Sequence, residues 1–361
     1  MSIKILQGDC IEVMRGMDAD SIDCVVTSPP YWGLRDYGVE GQIGIEPSLG
    51  EHLEKMIEVF AEVHRILKPT GTLWLNYGDC YATHPNGKKA ADYKADKSDD
   101  RAFRDKPFST IGPINRSKDI PRGSGRWGGG NNPAQGYLKP KDLCMVPNRI
   151  AIALQEWGWY VRSEIIWAKP NPMPESIKDR PATSHEKIWL LSKSAKYFYN
   201  AEAVLEECSP ATKPRVSQDV MKQAGSARAN GGKKTNGNMK AVSRKTAPPG
   251  QGIKNNSSFD SALIEVPLQR NLRNVWSIPT AAFSGAHFAT FPPALVERCL
   301  LAGCPPHGHV LDPFGGAGTT GLVADRMGLD ATMIELNQQY IAIAKNRIED
   351  DNPLFTKVAA E

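Results

Sequence analysis

The stretch Asp312-Pro313-Phe314-Gly315-Gly316-Ala317-Gly318-Thr319-Thr320 limits the possible folds more than any other part of the chain. It follows His309-Val310-Leu311, which reads as a buried strand, and it precedes a helix from Gly321 to Met327, a strand from Ala331 to Ile334, and then Glu335. A glycine-rich turn between a strand and a helix lets backbone approach a ligand closely, and an acid ending the next strand can accept from ribose hydroxyls. Gly316, Gly318 and Gly321 satisfy the spacing GxGxxG, which alone specifies little. The surrounding order of strand, turn, helix, strand and acid narrows it to a nucleotide-like ligand. In a nicotinamide oxidoreductase this turn stands in the first βαβ unit, with the sheet downstream. Here only a helix from Gln338 to Ile348 and a tail follow Glu335, so the remaining strands must come from upstream, as in a circularly permuted sheet.

The upstream sequence supplies them. Ile3 to Leu6 is β-prone and ends in Gln7-Gly8-Asp9-Cys10. Asp9 stands either where open α/β sheets bind ligands or as the cap of a helix starting near Ile11. A second strand, Ile22 to Val26, breaks off into Thr27-Ser28-Pro29-Pro30-Tyr31-Trp32. Proline lacks an N–H and has a fixed φ, so the pair cannot continue a ladder and its carbonyls are free to accept other donors. An aromatic ring beside such acceptors suits a flat, amino-bearing ligand such as a nucleobase, although a proline turn with a core aromatic would look the same. A glycine-rich loop from Gly33 to Gly50 carries Arg35, Asp36 and Tyr37. Helical spacing then runs from Glu51 to Leu67, stopped by Pro69, with a strand from Thr72 to Leu75. Farther on come a helix from Asn148 to Trp157, strands at Tyr160–Ala168 and Lys187–Ser192, a hairpin partner at Tyr197–Tyr199, and a helix from Pro292 to Ala302. His185 reads more readily as a surface or capping histidine than as a base.

Composition excludes several classes. With 361 residues, 40% hydrophobic content and a formal net charge of +4, the chain can bury a large core. It shows neither a membrane-length apolar run nor the apolar core of a signal peptide, which leads us to expect a cytoplasmic protein. Its seven cysteines are scattered without CxxC pairs, which argues against disulfides and structural metal. The charge is uneven. From about 81 to 138 the chain is rich in Gly, Pro, Lys and Arg with interleaved aromatics, suiting either a phosphate backbone or a merely solvated insertion. Between 208 and 258 ten basic residues, among them Lys213, Arg215, Lys233, Lys234, Arg244 and Lys245, stand against one acid, Asp219. That composition cannot fold alone and suits a polyanion, a flexible linker being the alternative.

Taken together, these motifs resemble the amino-directed DNA methyltransferases, in the arrangement where the catalytic motif precedes the cofactor motif. Thr27–Trp32 matches the family's (Ser/Asn/Asp)-Pro-Pro-(Tyr/Phe/Trp), and Asp312–Thr320 matches its cofactor loop, DPFxGxGTT. The resemblance covers roughly residues 3–80, 143–200 and 271–348. It implies a Rossmann-like, mostly parallel, seven-stranded sheet, circularly permuted, with long basic loop insertions for target recognition. Residues 1–200 would form the catalytic half with an insertion at about 81–140, residues 201–270 a basic target-recognition insertion, and residues 271–361 the cofactor-binding half. S-adenosylmethionine would be the cofactor, held by Asp9 at its adenine, by His287, Phe288 and Ala289 at its methionine end, by Asp312, Phe314, Gly316, Gly318, Thr319 and Thr320 in the loop, and by Glu335 at the ribose. No metal would be needed. Ser28, Pro29, Pro30 and Tyr31 would be catalytic, and the six basic residues named above would contact double-stranded DNA. Cytosine-C5 methylation requires a Pro-Cys nucleophile that this chain lacks. Serine at the first motif position resembles the cytosine-N4 group more than the adenine-N6 group. RNA or protein-amide methylation and a catalytically silent DNA-binding protein are the more distant alternatives. A cognate restriction endonuclease, and the choice between monomer and homodimer, stay open.

Overall fold

The computed structural model describes residues 2–34, 39–82, 138–139, 141–209, 269–281, 291–353 and 356–360. The chain divides into two units, one made of residues 1–200 with 273–361 and the other of residues 201–272.

The first unit is built on one nine-stranded sheet. In chain order its strands are β1 (Ile3–Gln7), β2 (Ile22–Thr27), β3 (Leu67–Tyr77), β4 (Tyr160–Ala168), β5 (His185–Ser192), β8 (Val275–Ser277), β9 (His309–Asp312), β10 (Asp330–Glu335) and β11 (Val358–Ala360). They lie in the order β11-β1-β10-β9-β2-β3-β5-β4-β8. Only β5 runs against its neighbours; every other pairing is parallel. Among the described residues the sheet has nine strands rather than the expected seven because two three-residue segments, β8 and β11, pair along its edges. Segments that short carry too little periodicity to be read from sequence.

The helices are α1 (Cys10–Arg15), α2 (Leu49–Ile66), α3 (Val146–Trp157), α4 (Pro293–Gly303), α5 (Thr319–Arg326) and α6 (Gln338–Asp351). Strand β3 shows how they cover both faces of the sheet, since successive side chains point to opposite sides. Leu73, Leu75 and Tyr77 join a buried cluster with Met56 and Phe60 of α2 and Ile150 and Leu154 of α3. Thr72 points the other way and donates to the Gly303 carbonyl of α4 at 2.9 Å. A buried strand covered on both faces is what a parallel sheet requires. Met56, Phe60, Val63 and Ile66 of α2 are at most 1% exposed, each contributing roughly 1.5–3 kcal/mol of hydrophobic stabilisation.

Three expectations are corrected here. Pro69 does not stop α2: the helix ends at Ile66, and the chain passes directly into β3, with Pro69 inside the strand. The proline is tolerated because the β2–β3 register jumps from Ile22↔Leu67 to Cys24↔Thr72, an irregularity that spares it a ladder bond. Tyr197–Tyr199 is not a strand; the Phe198 N–H donates to the Thr70 carbonyl at 2.8 Å and the run stays irregular. Thr319 and Thr320 form the first turn of α5 instead of belonging to the loop before it.

In the second unit, β6 (Glu206–Glu207) and β7 (Gln269–Arg270) form an antiparallel ladder, with the Glu206 carboxylate 3.2 Å from Nε of Arg270. The basic residues Lys213, Arg215, Lys233, Lys234, Arg244 and Lys245 lie outside the described residues, as does most of the stretch from 81 to 138. All seven cysteines are free thiols.

Candidate active site

Strands β2 and β9 are neighbours, so the loop after each opens at the same edge of the sheet. Between those loops lies a cleft enclosing about 910 Å³ of empty space, part of it open to solvent. Ser28 and Pro30 line it from one side, and Asp312, Phe314, Gly316 and Thr319 from the other. Asp9 and Glu335, at the ends of β1 and β10, complete the floor.

Buried hydroxyls hold the two loops together. Asp312, 1% exposed, accepts from Thr27 Oγ1 at 2.7 Å on one carboxylate oxygen and from Thr320 Oγ1 at 2.7 Å on the other. The Phe314 N–H adds a third donor at 3.1 Å. Burial pushes this carboxyl up to about 7, against the pull of those hydrogen bonds. Glu335 accepts from the backbone N–H of Gly316 and of Asn337, one on each oxygen at 2.8 Å, which fixes its rotamer. Burial raises its carboxyl as well. Each oxygen keeps a second lone pair for a ligand hydroxyl. Gly318 enters α5 with φ +75, and a Cβ there would lie 2.8 Å from Ala344 Cβ of α6. Asp9 caps α1, its Oδ1 accepting from Ile11 N at 2.9 Å and Glu12 N at 3.1 Å, and it also lines the cleft.

The loop after β2 is anchored from beneath. The Trp32 N–H donates to the Tyr77 hydroxyl at 2.7 Å, and Tyr77 meets His52 Nε2 at 2.7 Å. His52 Nδ1 lies 2.8 Å from Glu46. A carboxylate only accepts, so His52 Nδ1 donates to Glu46, and the Tyr77 hydroxyl bridges His52 Nε2 and the Pro30 carbonyl, which lies 3.3 Å away. Burial opposes ionisation of Glu46, but the bond and attraction from His52 and the Gly44 N–H outweigh it and hold the carboxyl below its usual value. Trp32, 2% exposed, is a core residue whose indole N–H reaches the Glu46 carbonyl at 3.0 Å. Among the described residues no donor reaches the Pro29 carbonyl. Tyr31 packs its ring on Tyr77 with centroids 4.6 Å apart. Gly78 makes room for it, since a Cβ there would lie 2.6 Å from the Tyr31 ring.

The sequence-predicted residues Ser28, Pro29, Pro30, Tyr31, Asp9, Asp312, Phe314, Gly316, Gly318, Thr319, Thr320 and Glu335 thus gather at one sheet edge, whereas His287, Phe288 and Ala289 lie outside the described residues. Sequence reasoning missed Asn76, Tyr77, His52, Glu46 and Glu186. Asn76-Tyr77, polar groups closing an apolar strand, offered a signal. The others acquire meaning only through tertiary pairing.

A polar, proline-stiffened loop facing a glycine-rich turn across the carboxyl ends of neighbouring parallel strands defines an α/β protein that binds a nucleotide-like ligand. A family model described as DNA methylase, covering N6 and N4 enzymes, matches residues 22–346, and the chain belongs to that family. Among curated relatives, the Type II methyltransferase M.SmaI of Serratia marcescens is 39% identical over 347 residues, covering 96% of this chain and 91% of its own. The Type II methyltransferase M.Cfr9I of Citrobacter freundii is 38% identical over 356 residues, covering 99% and 91%. Among solved structures, the PvuII DNA methyltransferase (cytosine-N4-specific) aligns with TM-score 0.54 at 16% identity, covering 99% of this chain and 95% of its own. A putative DNA modification methylase of Thermus thermophilus, TTHA0409, complexed with S-adenosyl-L-methionine, aligns with TM-score 0.52 at 19% identity, covering 99% of each chain. At such identities these two likenesses establish the shared fold.

Proposed function

We propose that this DNA methylase moves a methyl group from S-adenosylmethionine to the exocyclic N4 of cytosine in double-stranded DNA, acting on a base turned out of the duplex. The observation that carries the reading is the cleft that Ser28 and Pro30 share with Asp9, Gly316 and Glu335. The residues present suit the cofactor: a rigidly held acid with spare lone pairs ends β10, a second carboxylate ends β1, and the glycine turn leaves backbone exposed to the cleft. Glu335 would take ribose hydroxyls, and Asp9 the adenine amino group. When bound, S-adenosylmethionine supplies an electrophilic methyl on a sulfonium.

An exocyclic amino nitrogen is a poor nucleophile because its lone pair is delocalised into the base. Ser28 Oγ and the Pro29 carbonyl accept its two hydrogens, allowing the nitrogen to become tetrahedral with its lone pair aimed into the cleft. Tyr31 is the platform on which the base stacks, and Pro30 stiffens the loop. Most of the acceleration then comes from alignment. The basic segment from 208 to 258 is the element that would grip DNA phosphates. Serine as the first motif residue supports cytosine N4. That the curated relatives carry the name Type II methyltransferase supports a restriction endonuclease of the same target sequence as partner.

Methyl transfer from labelled cofactor, offered in parallel to double-stranded DNA, RNA and protein, tests the substrate class. Label in DNA alone is expected, and label in protein alone would end the DNA reading. Ser28→Ala and Tyr31→Ala are expected to cut turnover while leaving cofactor affinity within about threefold, whereas Glu335→Ala weakens cofactor binding first. Equal cofactor loss in both sets would contradict the assigned roles.

A further inference from the structure

A serine hydroxyl has one hydrogen and two lone pairs, so Ser28 can accept from an amino group only if its own hydrogen points elsewhere. The structure shows where it goes. Ser28 Oγ donates to the Tyr31 hydroxyl at 3.3 Å. Tyr31 has a single proton, and its shortest acceptor is Glu186 Oε2 at 2.7 Å, with Asn76 Oδ1 farther away at 3.3 Å. The other oxygen of Glu186 accepts from Lys169 Nζ. Burial and the nearby Glu186 raise the Tyr31 phenol well above its ordinary value, so it keeps its proton. Both ends of this chain of contacts have fixed polarity, since an ammonium only donates and a carboxylate only accepts. Tyr31 must therefore donate toward Glu186, its oxygen is left to accept, and Ser28 must donate to it.

We infer that Glu186, through Tyr31, is a positioning residue that sets the direction of the Ser28 hydroxyl and keeps its lone pairs toward the target amino group. The inference rests on Ser28 acting as acceptor in the proposed function. None of Lys169, Glu186 or the contact between Glu186 and Tyr31 belongs to the Ser-Pro-Pro-Tyr motif. Glu186 stands on β5, opposite Trp167 of β4, and reaches the loop from the side of the sheet away from the glycine turn.

Glu186→Gln tests the direction rather than the presence of a contact. Lys169 Nζ would draw the amide oxygen, leaving the NH₂ aimed at Tyr31. Tyr31 would then accept at that side and turn its proton toward Ser28, reversing the relay. With saturating plasmid DNA and labelled S-adenosylmethionine, Glu186→Gln is expected to lower kcat about 10- to 100-fold and leave KM for the cofactor within about twofold. In a Tyr31→Phe background, which removes only the phenolic oxygen, Glu186→Gln is expected to add no further loss. A residue that merely supports the fold would show the same loss in both backgrounds, and that result would overturn the inference, as would full kcat in Glu186→Gln. Should Glu186→Gln fail to fold, Tyr31→Phe alone decides: a comparable loss of kcat at unchanged KM is expected, and unchanged kcat overturns the relay. Ser28→Ala in the same series separates the two levels. If it is active, the acceptor role of Ser28 falls, whereas if it is inactive beside a fully active Glu186→Gln, only the relay falls.

Discussion

Asp312 joins the loops after β2 and β9 through hydroxyls, and its carboxyl is buried beside no cation among its hydrogen-bond partners. Burial raises it from 3.8 to about 7. Between those values the folded protein binds this proton more readily than the unfolded chain does, so the group favours folding most below the window and less as pH rises through it. Asp312→Asn is neutral throughout and is expected to lose that dependence. Relative to the parent it gains stability from about pH 4 to about pH 8, by up to ~4 kcal/mol. Urea unfolding at both values checks this, and the same pH dependence in both proteins would mean that folding does not raise the Asp312 carboxyl. A second residue-scale expectation concerns Asp9. Asp9→Ala removes the acceptor for two N–H groups of α1 and should cost about 1 kcal/mol in unfolding free energy, besides any loss of cofactor affinity in calorimetric titration. Asp9→Asn, which still caps the helix, isolates the second effect.

At the scale of elements, the turn between β9 and α5 sets the geometry of the cleft. Gly318→Ala must place a Cβ at positive φ against Ala344, a short side chain on a helix that cannot swing away. Gly321→Ala meets Met333 Cε at 2.5 Å, the far end of a flexible side chain, and gains helix propensity. Gly318→Ala is therefore expected to cost about 1–3 kcal/mol and Gly321→Ala less, measured as denaturant midpoints; the opposite order would show that packing of α5 on β10, and not the left-handed turn, is limiting. Long periodic elements such as α2, β4 and α6 were legible in the sequence because their patterns repeat over several turns or pleats. Pro69 misled because a proline stops a helix in isolation, yet sits comfortably where a parallel register jumps. The grouping of Ser28 with Glu335 was legible because each motif stands at a strand end. The contact from Tyr31 to Glu186 was not, since it depends on β5 running antiparallel beside β3, a fact no local pattern carries.

For the whole molecule, the proposed DNA contacts of the basic segment imply a salt dependence. The basic residues Lys213, Arg215, Lys233, Lys234, Arg244 and Lys245 are expected to contribute counterion release, each phosphate contact adding about 0.9 to the slope of log affinity against log salt. Replacing all six with glutamine should flatten that slope in anisotropy titrations with duplex DNA and leave cofactor affinity unchanged, whereas an unchanged slope would make the segment a linker. No described helix is long and apolar enough to cross a membrane. The central claim is that the Ser28 loop presents a cytosine amino group to a methyl donor held by the Gly316 turn. Nucleoside mass spectrometry of plasmid DNA treated with the protein and isotope-labelled S-adenosylmethionine tests it most directly: the account predicts label in N4-methylcytosine, lost in Ser28→Ala, and label in N6-methyladenine or C5-methylcytosine would contradict it.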